Sequence, residues 1–240
     1  MADRSGIPIS SRHMAIRLLL LVAAYFVTGW LGLLLPFFGT SITLIWLPTG
    51  IAVAALWRWG NACWPAIFVG AFATNLAIGS SPGLALSIAL GNTLGPLLAV
   101  YLLRKWAFHG GFIYARDIAL LGMAAAVGMT VSASGGVASL LLFGVLPVAS
   151  VLFAWWSWWA GDFVGVLLVA PLLLNISRAG LAESWGQRIE FLLWCMVTLA
   201  AGLGIFVLNN DANGDSIPLV FMMLPLVVWS AMRFGVVGSS

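Results

Sequence analysis

The chain reads as an all-α polytopic integral membrane protein of eight transmembrane helices, with its N-terminus and C-terminus both cytoplasmic. Its composition is 62% hydrophobic and only 7% charged, against roughly a quarter charged for soluble domains, and the mean hydropathy is +1.10. Apolar runs recur along the whole length. The basic residues fall in alternate connections between those runs.

The first run, 15–35, follows Arg4, Arg12 and Arg17. At roughly 20 residues it is long enough to span, and without a small-residue cleavage site it is expected to stay as a helix rather than leave as a signal peptide. The second and third runs, 43–57 and 63–78, are short for a hydrocarbon core of about 30 Å. They are expected to tilt less, to extend through WRWGNACWP, or to stop short of full crossing. The fourth (84–103) opens after GSSPG and contains GNTLGP, and the fifth runs over 117–143. The sixth, 148–174, holds WWSWWAGD. The seventh and eighth, 191–208 and 216–232, flank NNDANGD. Polar, Gly and Pro punctuation separates the runs, and residues 1–240 form a single membrane domain.

Charge fixes the orientation. Arg58, then Arg104, Lys105 and Arg116, then Arg178 and Arg188, then Arg233 lie in one set of connections, with the three N-terminal arginines on the same side. The opposite connections (PFFGTS, GSSPG, FGVLP, NNDANGD) hold no basic residue, and the last carries Asp211 and Asp215. All ten basic residues therefore share one side, which the positive-inside rule makes cytoplasmic. An odd number of crossings anywhere would break the alternation. The same spread, with no dense basic patch, argues against a nucleic-acid partner. Cys63 and Cys195 fall at cytoplasmic helix ends, where reducing conditions disfavour a disulfide, and read as packing residues. The longer cytoplasmic connections, 104–117 and 175–190, suit interfacial anchoring, with contact to a partner or downstream domain as the alternative.

Asp162 is the one acidic residue placed at depth. A charged group at a helix centre costs about 2.5–3.5 kcal/mol on insertion scales and by default faces a bundle interior. At 100° per residue, Trp155, Trp158, Trp159 and Asp162 share a stripe from which Trp156 points away. Trp159 lies about 11 residues into its span, some 16 Å deep, below the interfacial aromatic belt. Asn92 in GNTLGP, Asn75 in the third span, and Trp46 with Thr49 in IWLPTG occupy comparable depths from the outer side. These eight residues are the candidate ligand-binding or switch site, in a pocket open to the extracytoplasmic side. The alternative is structural: amides as hydrogen-bonding glue, Gly91 and Gly95 as a small-residue contact, Pro48 and Pro96 as kinks.

Catalysis finds little support. SASGG (132–136) superficially resembles the serine environment of rhomboid-type proteases but lacks the first glycine. His13 and His109 sit in cytoplasmic segments, beyond reach of Ser134. No cluster has metal-ligand spacing, and no phosphate-binding loop is present. The expectation is no catalytic residue, no metal and no cofactor. A small-solute or proton-coupled transporter is the alternative function, since a buried acid can couple protons. LPTGIAVAALWRWG (47–60) resembles LPLVVWSAMRFG (224–235) as a parallel repeat, and because the first copy leads into a further span, the natural protein is expected to continue past residue 240.

IWLPTGIAVAALWRWG and PAIFVGAFATNL (within 45–76), GNTLGPLLAVYLLRK (91–105), Asp117 in ARDIALL, and above all WWSWWAGDFVGVLLVAPLLL (155–174) resemble the first-described class of bacterial membrane-associated sensor domains, the MASE family. The similarity covers nearly the whole chain. It implies a multi-pass sensory input of the bacterial inner membrane, fused at its C-terminus to a histidine kinase or to cyclic-di-GMP enzyme modules after further membrane helices. The expected partners are the lipid bilayer, that fused kinase or cyclase module, a small-molecule ligand or membrane-protein partner, and a second copy in a homodimer. The stimulus would act around Asp162 and pass a helix rearrangement through the last span.

Overall fold

A computed structural model describes residues 11–34, 45–110, 112 and 115–175, together with the single helical residues Leu193 and Val197. The spans expected at 191–208 and 216–232 otherwise lie outside the described residues. Six α-helices follow in order: α1 (Ser11–Leu34), α2 (Leu47–Trp59), α3 (Trp64–Ala77), α4 (Pro82–Lys105), α5 (Ala115–Leu142) and α6 (Val151–Asn175). Prolines sit in the first turn of α2, α3 and α4, where a missing N–H costs nothing. The Ser81 hydroxyl caps α4 by accepting from the Leu84 amide. Among the described residues there is no strand.

Four of these helices, α1, α4, α5 and α6, are long and apolar enough to cross a membrane. With 13 and 14 residues, α2 and α3 measure only about 20 Å each and fall short of a 30 Å core. The run expected from 43 begins as a helix at Leu47, and Ile45 and Trp46 are not helical. Pro48 is the reason: its ring would collide with the carbonyl four residues upstream, so it starts a helix here instead of kinking one. Pro96 and Pro171 do lie inside helices, in α4 and α6.

Two close helix pairs organise the bundle. Between α2 and α6 the backbone amide of Trp46 donates to the Gly161 carbonyl at 2.9 Å, Gly50 lies against Gly165, and Arg58 Nη1 donates to the Leu173 carbonyl at 3.1 Å. Each pair is separated by 115 residues, so the two helices run side by side, parallel and in register. A Cβ on Gly165 would overlap the Trp46 carbonyl, and one on Gly50 would overlap the Gly165 carbonyl. Between α4 and α5, Gly91, Gly95 and Ala99 meet Gly135, Ser132 and Gly128 in antiparallel order. Small residues at four-residue spacing let two backbones approach closely where lipid supplies no hydrophobic drive.

The described arginines gather at one end. Arg58 covers the last turn of α6. Arg104 donates to the Leu56 carbonyl at the end of α2 and to Asn61 Oδ1. Arg17 of α1 lies 5.8 Å from the Trp59 ring centroid, and Arg116 donates to the Trp106 carbonyl. Cations at helix C-termini satisfy orphan carbonyls and complement the helix dipole. At the same end, Trp57, Phe108 and Phe112 pack edge-to-face in sequence, and buried Asp117 in the first turn of α5 lies 3.7 Å from His109.

Glycine contacts predict opposite outcomes for one substitution. Gly165→Ala should destabilise the protein by about 1–3 kcal/mol through overpacking, whereas Gly122→Ala, with open space where its Cβ would stand, should be neutral or gain up to about 1 kcal/mol of helix propensity. Thermal unfolding in detergent measures both.

Candidate functional site

Asp162 stands 11 residues after the start of α6 and 13 before its end, about 16 and 20 Å from either terminus. It is fully buried. Thr49 Oγ1 donates to its Oδ1 at 2.5 Å, and Ser132 Oγ donates to its Oδ2 at 2.6 Å. Distances this short are typical of hydroxyl hydrogen bonds to a carboxylate. Ser132 Oγ is also 3.1 Å from the Asn92 side-chain amide. One hydroxyl hydrogen cannot serve two acceptors, so with Asp162 taking it the Asn92 amide turns its NH₂ towards Ser132. Four helices therefore meet at one carboxyl group: α2 through Thr49, α4 through Asn92, α5 through Ser132 and α6 through Asp162.

Position follows from the local folding of each element. Thr49 lies in the first turn of α2, because Pro48 starts that helix beside the middle of α6; the positive end of the α2 dipole is thereby aimed at the carboxyl group. Ser132 comes beside Asn92 because Gly91, Gly95 and Gly128 let α4 and α5 close on each other. Trp158 faces the same carboxyl group, its ring occupying the space that a Cβ on Gly136 would need.

The expected stripe divides in two. Trp158 belongs with Asp162, while Trp155 and Trp159 bond to α5: Trp155 Nε1 donates to Ser134 Oγ and Trp159 Nε1 to the Ala126 carbonyl, both at 3.0 Å. Trp155, Trp159 and Phe163 form a stacked ladder, with centroid spacings of 6.5 and 4.9 Å. Trp156 meets Trp155 and Trp159 edge-on and is 54% exposed. Trp46 comes to the site through its backbone amide on Gly161. Asn75 does not join. Its amide donates back to the Ala71 carbonyl of its own helix, as Thr74, Thr93 and Ser139 do with their own helices. Polar side chains that bond within one helix are thus distinguished from those that bond across helices.

Two residues here had no reading as site residues in the sequence. Ser132 lies in SASGG, two residues before Ser134, among small residues that give it no local mark. Tyr25 is one aromatic in an apolar run, yet it is fully buried and its hydroxyl lies beside the Trp46 and Asn92 side chains. Its ring enters over Gly70, where a Cβ would stand 2.8 Å from Tyr25 Cβ. Among the described residues, no group of three or more His, Cys, Asp or Glu side chains is placed to hold a metal ion.

The family description MASE1 matches residues 17–240. The probable diguanylate cyclase DgcE of Escherichia coli (strain K12) is 26% identical over 226 residues, covering 92% of this chain and 20% of that relative. The chain therefore spans about a fifth of the relative's length. No solved structure matches it.

Removing either hydroxyl donor strands a buried oxygen, so Thr49→Val and Ser132→Ala should each cost about 1–3 kcal/mol. Double-mutant cycles with Asp162→Ala, read by thermal unfolding, should give coupling energies of about 1 kcal/mol or more for these two sites. The cycle with Asn75→Ala should give a value within about 0.5 kcal/mol of zero.

Proposed function

Because the chain belongs to the MASE1 family, whose domains are membrane sensors found in cyclic-di-GMP and kinase signalling proteins, we propose that it is the sensory input of such a signalling protein. A small ligand or a membrane partner acts at the Asp162 cluster, and the resulting helix rearrangement reaches a cytoplasmic output module. The observation that carries this reading is the convergence of four helices on one buried carboxyl group by cross-helix hydrogen bonds. A ligand that competes for any of those bonds has different affinities for two helix arrangements, which is the thermodynamic requirement for a switch.

A path towards the membrane surface follows from the same contacts. Thr49 sits at one end of α2 and Arg58 at the other, and Arg58 holds the last turn of α6. A displacement of α2 at the carboxyl group therefore moves the α6 C-terminus with it. In this reading the arginine-bearing end faces the cytoplasm of a bacterial inner-membrane protein, in keeping with the positive-inside rule. The last span, through which the signal is expected to leave, lies outside the described residues.

A second reading, a small-solute or proton-coupled transporter, draws on the position of α2. Its N-terminus begins beside the middle of α6, as the broken helices of carriers begin near the bilayer midplane. Uptake into proteoliposomes tests it, and the sensor reading expects none.

In the full-length protein, Asp162→Asn should abolish the response of the output activity to stimulus or lock it in one state. A variant that responds normally at unchanged membrane levels would sink the proposal. Reporter fusions should place residues 78–81 outside and residues 106–110 inside, and the reverse result would overturn the orientation.

A further inference from the structure

At the Asp162 cluster one hydroxyl hydrogen stands between two acceptors. Ser132 Oγ lies 2.6 Å from Asp162 Oδ2 and 3.1 Å from Asn92 Oδ1, and its single hydrogen serves one of them at a time. Beyond Asn92 comes Tyr25, whose hydroxyl lies beside the Asn92 and Trp46 side chains. With the Asn92 oxygen turned to Ser132, Tyr25 Oη and Trp46 Nε1 complete no hydrogen bond. Turning the amide over removes the mismatch. Its NH₂ then donates to Ser132, its oxygen accepts from the Tyr25 hydroxyl, and Tyr25 Oη accepts from the Trp46 indole. Trp46, Tyr25, Asn92 and Ser132 thereby form one line of donors directed at the Asp162 carboxylate.

The direction of that line depends on the charge of Asp162. An ionised carboxyl group only accepts; once protonated it also donates one hydrogen. A proton taken from water onto Oδ2 makes Asp162 the donor to Ser132 Oγ. The Ser132 hydrogen then swings to the Asn92 oxygen, the amide turns, and its NH₂ faces Tyr25 Oη. Apart from the new O–H bond on Asp162, no covalent bond changes. At the far end the Tyr25 hydroxyl hydrogen loses its acceptor among these residues, which weakens the hold of the cluster on α1. No ion pair has to break. Among the described residues, Thr49 of α2, Ser132 of α5 and Trp158 of α6 face the carboxyl group, and Tyr25 of α1 is the titratable group that feels its charge. Arg58 sits nine residues beyond Thr49 along α2, about 13 Å away, and Arg17, Arg104 and Arg116 share its end of the bundle.

We infer that Asn92 is a two-position switch: its amide turns according to whether Asp162 carries a proton, and it relays that state from α6 through α5 and α4 to Tyr25 on α1. Proton uptake is thus an input to the cluster distinct from a ligand or a membrane partner. The inference deepens the sensor reading and rests on it only for the downstream effect, in which a change in how α1 is held reaches an output module. Thr49, on the other carboxyl oxygen, lies outside the relay.

The test records infrared difference spectra of the full 240-residue chain in lipid nanodiscs across pH, without stimulus or output module. Carboxyl bands of isotope-labelled aspartate that vanish in Asp162→Asn report the proton. Bands of labelled tyrosine that vanish in Tyr25→Phe report the hydroxyl. The expected result is a Tyr25 shift that accompanies protonation of Asp162 with one shared midpoint. Asn92→Leu and Ser132→Ala should each lose the Tyr25 shift while Asp162 still titrates, whereas Thr49→Val should keep it. The wild type also decides without a variant: on protonation the Tyr25 C–O stretch should pass from the position of a hydrogen-bond donor to that of an acceptor. The inference is overturned if Asp162 takes up no proton over the pH range in which the chain stays folded, or if Tyr25 stays silent when it does. It is equally overturned if the C–O stretch keeps its donor position, or if the Tyr25 shift survives in a folded Asn92→Leu or Ser132→Ala protein, since the field of the carboxylate alone then explains it. These spectra need no ligand and no output, so a failure here is separable from a full-length Asp162→Asn protein that still signals.

Discussion

Keeping one carboxyl group at the middle of a membrane helix without leaving its oxygens unpaired is the constraint on which the rest of the structure depends. A carboxylate at that depth is expensive, and both Asp162 oxygens are answered by hydroxyls from other helices. For Thr49 to be one of them, α2 must begin beside the centre of α6, which accounts for a helix of only 13 residues opened by Pro48. For Ser132, the other donor, also to meet Asn92, α4 and α5 must approach to glycine distance. The short helix, the glycine contacts and the polar cluster are three consequences of one requirement.

Electrostatics divides the bundle along its length. Among the described residues, Arg58 and Arg104 close the C-terminal turns of α6 and α2 at one end, and no described cation reaches the acid. Asp162 is therefore stabilised by hydroxyl dipoles and a helix N-terminus rather than by an ion pair. Neutral donors hold a carboxyl group less rigidly than a buried arginine would, since losing one partner of a buried ion pair is far more costly than losing one hydroxyl. Exchanging one hydroxyl partner for another therefore costs such a site less than breaking an ion pair would.

The aromatic content has two separate uses that share a few turns of α6. Trp158 fills the cleft beside Gly136 and belongs to the polar centre. Trp155, Trp159 and Phe163 form a ladder fastened to α5 by indole hydrogen bonds. The ladder is fastened to α5 along the two turns that precede Asp162.

Much of this was legible in residue order. Apolar runs of spanning length locate α1, α4, α5 and α6 to within a few residues, because membrane insertion depends on local hydrophobicity and every backbone group must be paired within its own segment. Asp162 stands out for the same reason: a lone acid in an apolar run is costly wherever the run folds. Its companions were legible only in part. Thr49, Asn92 and Trp46 could be placed at a comparable depth, but depth does not say which way a side chain turns, and Asn75 at similar depth bonds to its own helix. Ser132 and Tyr25 carry no local mark, since a serine among small residues and a tyrosine in an apolar helix are ordinary. Their place is set by which helix lies against which, through contacts between residues 30 to 113 positions apart in the chain. Periodicity within one segment holds no information about such pairings, so they emerge only when the helices pack.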